Sequence, residues 1–266
     1  MTINLGFGLI LVLMGHLLAD FYVQTNSVAQ NKNSDNKAFA LHAVLYALCM
    51  LPFCLIVFAW WSSFLISWTV ISLTHALIDL AKREMSNRDA ASLSTGKRPS
   101  ELASFCLDQI AHIILCSAVV VIAFSKGALV SDAWFFLPLQ DLMGGGDTLI
   151  VLAIVITAFL FNGRPVSCLI QLIFKQIRLT ADSDNPQQQD EQRAGRWIGV
   201  FERMLVVILT LCGQFGAIAF VLAAKSIARF KQLDDQTFAE SYLIGTLASM
   251  TFAIVSSLCL QNIATW

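Results

Sequence analysis

The chain has 266 residues, of which 57% are hydrophobic and only 13% charged, with a mean hydropathy of +0.69 and a net charge of −1. That balance excludes an ordinary soluble domain and leaves no basic surface or motif for nucleic acid. It describes an all-α fold, a polytopic transmembrane helical bundle.

A helix needs ~20 apolar residues to cross a bilayer core, and the runs of that kind predict about seven spans. They are Leu5 to Val23, Phe39 to Ala59, Trp61 to Ala81, Phe105 to Phe124, Thr148 to Phe161, Trp197 to Ala224 and Tyr242 to Ile263. The fifth is short: Asn162, Gly163, Arg164 and Pro165 interrupt it, and Val166 to Ile177 reads as an amphipathic interfacial helix. The chain thus divides into a four-helix core (1–125), an external loop with the short span and amphipathic helix (126–181), a polar cytoplasmic linker (182–195) and a two-helix hairpin (196–266). The N-terminal run has no basic flank and carries His16 and Asp20, so it reads as a retained helix rather than a signal peptide.

Lys and Arg are unevenly spread. Lys32, Lys37, Lys82, Arg83, Arg88, Lys97, Arg98, Arg164, Lys175, Arg178, Arg193 and Arg196 fall on one side; only Lys126, Lys225, Arg229 and Lys231 fall on the other. The positive-inside rule then places the N-terminus outside and the C-terminus in the cytoplasm of a bacterial inner membrane. The seven cysteines, Cys49, Cys54, Cys106, Cys116, Cys168, Cys212 and Cys259, all lie in apolar stretches and read as buried thiols.

All four histidines, His16, His42, His75 and His112, lie in apolar stretches, and Asp20, Asp79 and Asp108 each stand four positions from one of them. Ionisable groups inside a membrane are expensive and usually mark a site. With the four helices alternating in direction, all seven fall at similar depth near the cytoplasmic face. Imidazole and carboxylate together suit Zn, Mn or Fe, and seven donors exceed one tetrahedral site, so two ions are expected. Asp20, Asp79 and Asp108 are also the candidate catalytic bases, with Gln24 and Gln109 as supporting polar neighbours. His16-Leu-Leu-Ala-Asp20 and His75-Ala-Leu-Ile-Asp79 share a pattern that would suit related halves of a repeat. Arg196, Glu202 and Arg203, at the start of the sixth span, form a candidate substrate-binding group for an anionic head group.

Several segments together carry a resemblance: Gly15-His-Leu-Leu-Ala-Asp-Phe with Gln24, Leu41-His42, His75-Ala-Leu-Ile-Asp79, Leu107-Asp-Gln-Ile-Ala-His112, Gly195 to Arg203 and Ala224 to Phe230. They resemble a bacterial membrane family known as domain of unknown function 3307, which implies no established activity. The His/Asp helices are more distantly similar to inner-membrane metal-dependent hydrolases. The expectation is therefore a metal-dependent hydrolase acting on a lipid or a small amphipathic phosphate or ester at the cytoplasmic leaflet. A divalent-cation transporter is the alternative, since His-x-x-x-Asp also resembles the zinc site of cation-diffusion facilitators, though those use four donors from two helices. A b-type haem protein is the third reading, disfavoured by aspartates one turn from the candidate axial ligands His16, His75 and His112.

Overall fold

The computed structural model describes residues 4–24, 32, 35–91, 100–129, 146–177 and 186–266. Helix α1 (Leu5–Leu17) continues into a π-helical turn, Leu18–Val23. Then come α2 (Asn36–Val57), α3 (Trp61–Ala91), α4 (Glu101–Ser125), α5 (Gly146–Asn162), α6 (Arg164–Gln176), α7 (Pro186–Leu211), α8 (Phe215–Ala228) and α9 (Gln236–Ala264). Among the described residues six helical stretches are long and apolar enough to cross a membrane: Leu5–Val23, Asn36–Val57, Trp61–Met85, Glu101–Ser125, Thr148–Gln176 and Gln236–Ala264. Phe215–Ala228 is a shorter apolar helix.

The helix starts are written in side chains. Asn4 accepts from the Phe7 amide at 2.8 Å, Asp35 from Lys37 and Ala38, and Ser100 from Ala103, each satisfying amides that a first turn leaves without partners. Pro186, which lacks an amide proton, opens α7.

The chain forms two compact units, Met1–Ala153 with Ile263–Trp266, and Ile154–Asn262. In the first, α1 to α4 pack side by side. Trp68 donates from its indole to the Ala47 carbonyl at 2.8 Å, joining α3 to α2, and the Ala59 amide donates to the Ala128 carbonyl at 2.9 Å, tying the α2–α3 turn to the end of α4. Polarity is reversed relative to a water-soluble bundle. His16, His42, His75 and His112 are fully buried, whereas Leu41, Leu48, Leu73, Leu77, Leu107 and Ile114 face outward. Lipid accepts those apolar side chains, so the interior is free to hold polar ones.

In the second unit α7 and α8 form a hairpin. Gly213 turns the chain with φ +69°, and Lys225 on α8 meets Glu202 on α7 at 2.6 Å, two residues placed almost symmetrically about that glycine. The sequence treats Trp197 to Ala224 as one span; the structure reverses the chain at Cys212–Gln214 instead. Lys225 and Arg229 therefore return toward the Arg196 end of α7, which removes the basic group that the linear reading left on the opposite side. Ile263, at the end of α9, lies against Gly6, at the start of α1, so closely that a Cβ at Gly6 would collide with the Ile263 carbonyl. The two termini thus meet at one side of the bundle rather than facing opposite sides.

Two smaller expectations also change. Residues 186–195 of the expected linker are the first turns of α7, as a Pro followed by Gln, Glu and Arg allows; 182–185 lie outside the described residues, as do Lys97, Arg98, Arg178 and most of the expected external loop, 130–145. Cys54 and Cys116 are buried, but Cys212 and Cys259 are exposed on the apolar surface, where a thiol faces lipid at little cost.

Candidate metal centre

Four helices bring the seven expected donors into one layer. His16 ends α1, Asp20 sits in the π-helical turn that follows, His42 is in the second turn of α2, His75 and Asp79 are on α3, and Asp108 and His112 are on α4. The π turn widens the helix at Asp20, a distortion found mostly at functional sites.

The contacts run between helices rather than along them. His42 Nε2 is 3.0 Å from Asp79 Oδ2 and 3.5 Å from Asp20 Oδ1, and His75 Nε2 is 3.8 Å from the same Asp20 oxygen. Asp20, His42 and His75 each offer a donor atom within 4.8 Å of the others, and Asp79, Asp108 and His112 form a second such group. His42, touching both Asp20 and Asp79, links the two. His16 belongs to neither group: its Nδ1 is 3.2 Å from the Tyr46 hydroxyl and its Nε2 3.3 Å from Gln109 Oε1, while its ring stacks on His112 at 5.4 Å.

Imidazole nitrogens are obligatory hydrogen-bonding groups, and leaving one buried without a partner costs about 1–3 kcal/mol. Among the described residues both nitrogens of His75, Nδ1 of His42 and Nε2 of His112 have no hydrogen-bond partner, and neither have Asp20 Oδ1 and Asp108 Oδ1. All of those atoms belong to members of the two donor groups, and imidazole with carboxylate is a chemistry that suits a divalent cation.

Four residues complete the layer that the spacing of His and Asp does not reveal. Lys32, in the connection before α2, places its ammonium 3.2 Å from Asp79 and 3.8 Å from Asp20. Burial works against that charge, yet the two carboxylates outweigh it and hold the Lys32 pKa above its ordinary value. Lys82 donates to Asp108 Oδ2 at 2.8 Å. Tyr46 stacks on His75 with ring centroids 3.5 Å apart. Gln109, expected as a supporting neighbour, donates to Asp20 Oδ2 at 2.9 Å and to Asp108 Oδ2 at 3.4 Å. Helical spacing carries a signal for two of the others: Lys82 continues the stripe of His75 and Asp79, and Tyr46 stands four residues after His42. Gln24 makes no such bond; its Oε1 has no hydrogen-bond partner.

Arg196, Glu202 and Arg203 are not gathered into one pocket. Arg196 is exposed, and Glu202 is paired with Lys225. Arg203 is buried and donates to the Asn162 carbonyl at 2.7 Å, Ser249 at 3.1 Å and Ser167 at 2.6 Å, which ties α7 to α5, α9 and α6.

Helices able to cross a membrane, apolar outside and holding buried His, Asp and Lys within, define an all-helical membrane protein with a polar interior layer. Residues 9–137, a stretch that contains every member of the layer, match the model of a family described as protein of unknown function (DUF3307). No curated protein and no solved structure matches the chain.

Proposed function

We propose that the layer is the divalent-metal centre of a membrane-embedded hydrolase acting on a lipid or small amphipathic phosphate or ester at the cytoplasmic leaflet of a bacterial inner membrane. The observation that carries this reading is the set of buried imidazole nitrogens without hydrogen-bond partners, distributed over two three-donor groups. Asp20, His42 and His75 would hold one ion and Asp79, Asp108 and His112 the other, Zn, Mn or Fe by ligand type. Such ions polarise a phosphoryl or carbonyl oxygen and make hydroxide available near neutral pH. Around them, Gln109 would fix the Asp20 and Asp108 carboxylates, Tyr46 would orient His75 and His16, and one of the three aspartates would take the proton of the attacking water. In this reading the N-terminus lies outside, as the positive-inside rule suggests, and the approach of Ile263 to Gly6 supports a C-terminus on the same side.

Two features favour a fixed centre over the alternatives. A transport site exchanges ions along a path, whereas these donors lie in one layer shared by four helices. A haem needs a flat apolar slot, whereas the rings of His16, His75, His112 and Tyr46 contact one another directly.

Inductively coupled plasma mass spectrometry on protein purified in detergent without chelator tests the reading. About two equivalents of Zn, Mn or Fe are expected in the wild type, falling to one or fewer in His75→Gln and in Asp108→Asn with helix content unchanged. A metal-free wild type, in protein that still unfolds cooperatively, would sink it.

A further inference from the structure

The layer has a floor and a mouth. The side chains of His42, His75 and His112 are 1% exposed, those of the three aspartates 4–6%, while Lys32 is 14% and Lys82 29% exposed. The two ammonium groups are thus the members of the layer nearest its exposed edge.

Three carboxylates against two ammonium groups leave the layer with one negative charge when the imidazoles are neutral. Two divalent cations would turn that into three positive charges in a low-dielectric interior, where uncompensated charge is costly. Hydroxide and a neutral ester would leave two of them standing; hydroxide and a phosphate carrying two negative charges would cancel them all. Divalent ions seated among the carboxylates would also displace the ammonium groups now 2.8–3.8 Å from them, freeing six N–H donors at the mouth.

We infer that Lys32 and Lys82 are the anion-binding residues of this centre and that its substrate is a dianionic phosphate monoester rather than a neutral ester. The inference rests on the metal-centre reading above, and its residues come from distant stretches of chain: Lys32 from the connection between α1 and α2, Lys82 one turn beyond Asp79. A phosphate offers oxygens to both ammonium groups and to the ions at once; a diacyl ester lacking phosphate has nothing for the lysines to hold.

Isothermal titration of metal-loaded protein in detergent tests this, with inorganic phosphate, dihexanoyl phosphatidic acid and dihexanoylglycerol as probes and metal content measured on the same samples. Both phosphates are expected to bind and the glycerol diester not. Lys32→Met and Lys82→Met should each weaken phosphate binding roughly 10- to 100-fold, the loss of one charged hydrogen bond, while metal content stays level or rises. Lys32→Arg, which keeps the charge, should stay within a few-fold of wild type. Tighter binding of phosphatidic acid than of inorganic phosphate assigns the substrate to lipid; equal binding assigns it to the phosphate alone. Phosphate binding indifferent to both Lys→Met changes, or equal binding of the glycerol diester, overturns the inference while the metal remains. Loss of metal from the wild type is the separate failure of the underlying reading.

Discussion

At the scale of single residues, the layer shows which side chains announce themselves and which do not. A histidine or aspartate inside an apolar run is conspicuous because its desolvation has to be offset by something, so the seven donors are legible from sequence. Lys32 and Lys82 are not, because a lysine beside a span is what the positive-inside rule leads one to expect at any helix end. Only the structure shows the Lys32 ammonium beside Asp20 and Asp79. Tyr46 is similarly quiet, one aromatic among many apolar neighbours, yet its hydroxyl is the partner of His16 Nδ1. Tyr46→Phe removes that partner and keeps the ring on His75. It is expected to cost about 1–3 kcal/mol of stability, read from reversible unfolding in detergent. A loss below ~0.3 kcal/mol would mean that the bond contributes nothing to the folded state.

At the scale of elements, hydropathy locates helices well and reversals badly. The expected first span and the observed helical stretch share the same limits, Leu5 and Val23, because polar residues flank both ends. The hairpin of α7 and α8 was invisible because its turn is only Cys212, Gly213 and Gln214, too short to dent an apolar average. What marks the turn is conformation: Gly213 lies at φ +69°, where a side chain costs about 1–2 kcal/mol. Gly213→Ala should therefore destabilise the protein by about that amount. Gly195→Ala, within α7 and with open space where its Cβ would go, should instead stabilise it by about 0.5–1 kcal/mol. Melting temperatures of the two variants shifting in opposite directions would check both; a matched shift would remove the turn from the explanation.

At the scale of the whole chain, one uncounted reversal changes where the last basic residues fall relative to α7. Lys225, Arg229 and Lys231 look misplaced on a linear reading; the fold turns Lys225 and Arg229 back toward Arg196. Protease-cleavable tags at the two termini are accordingly expected to be cut from the same side of sealed membrane vesicles. Cleavage from opposite sides would contradict the approach of Ile263 to Gly6.

The widened turn at Leu18–Val23 makes the layer sensitive to register as well as to residue identity. A π turn closes its hydrogen bonds one residue later than an α turn, so it holds one residue more than regular helix would. Deleting Ala19, a small side chain that ligates nothing, would let the helix relax to ordinary pitch. Residues inside the turn, Asp20 among them, would then change direction relative to the helix before Leu18. Asp20 would leave His42 and His75 while every donor remained in the sequence. A relative that carries all seven donors but lacks this extra residue would have the composition of the site without its geometry.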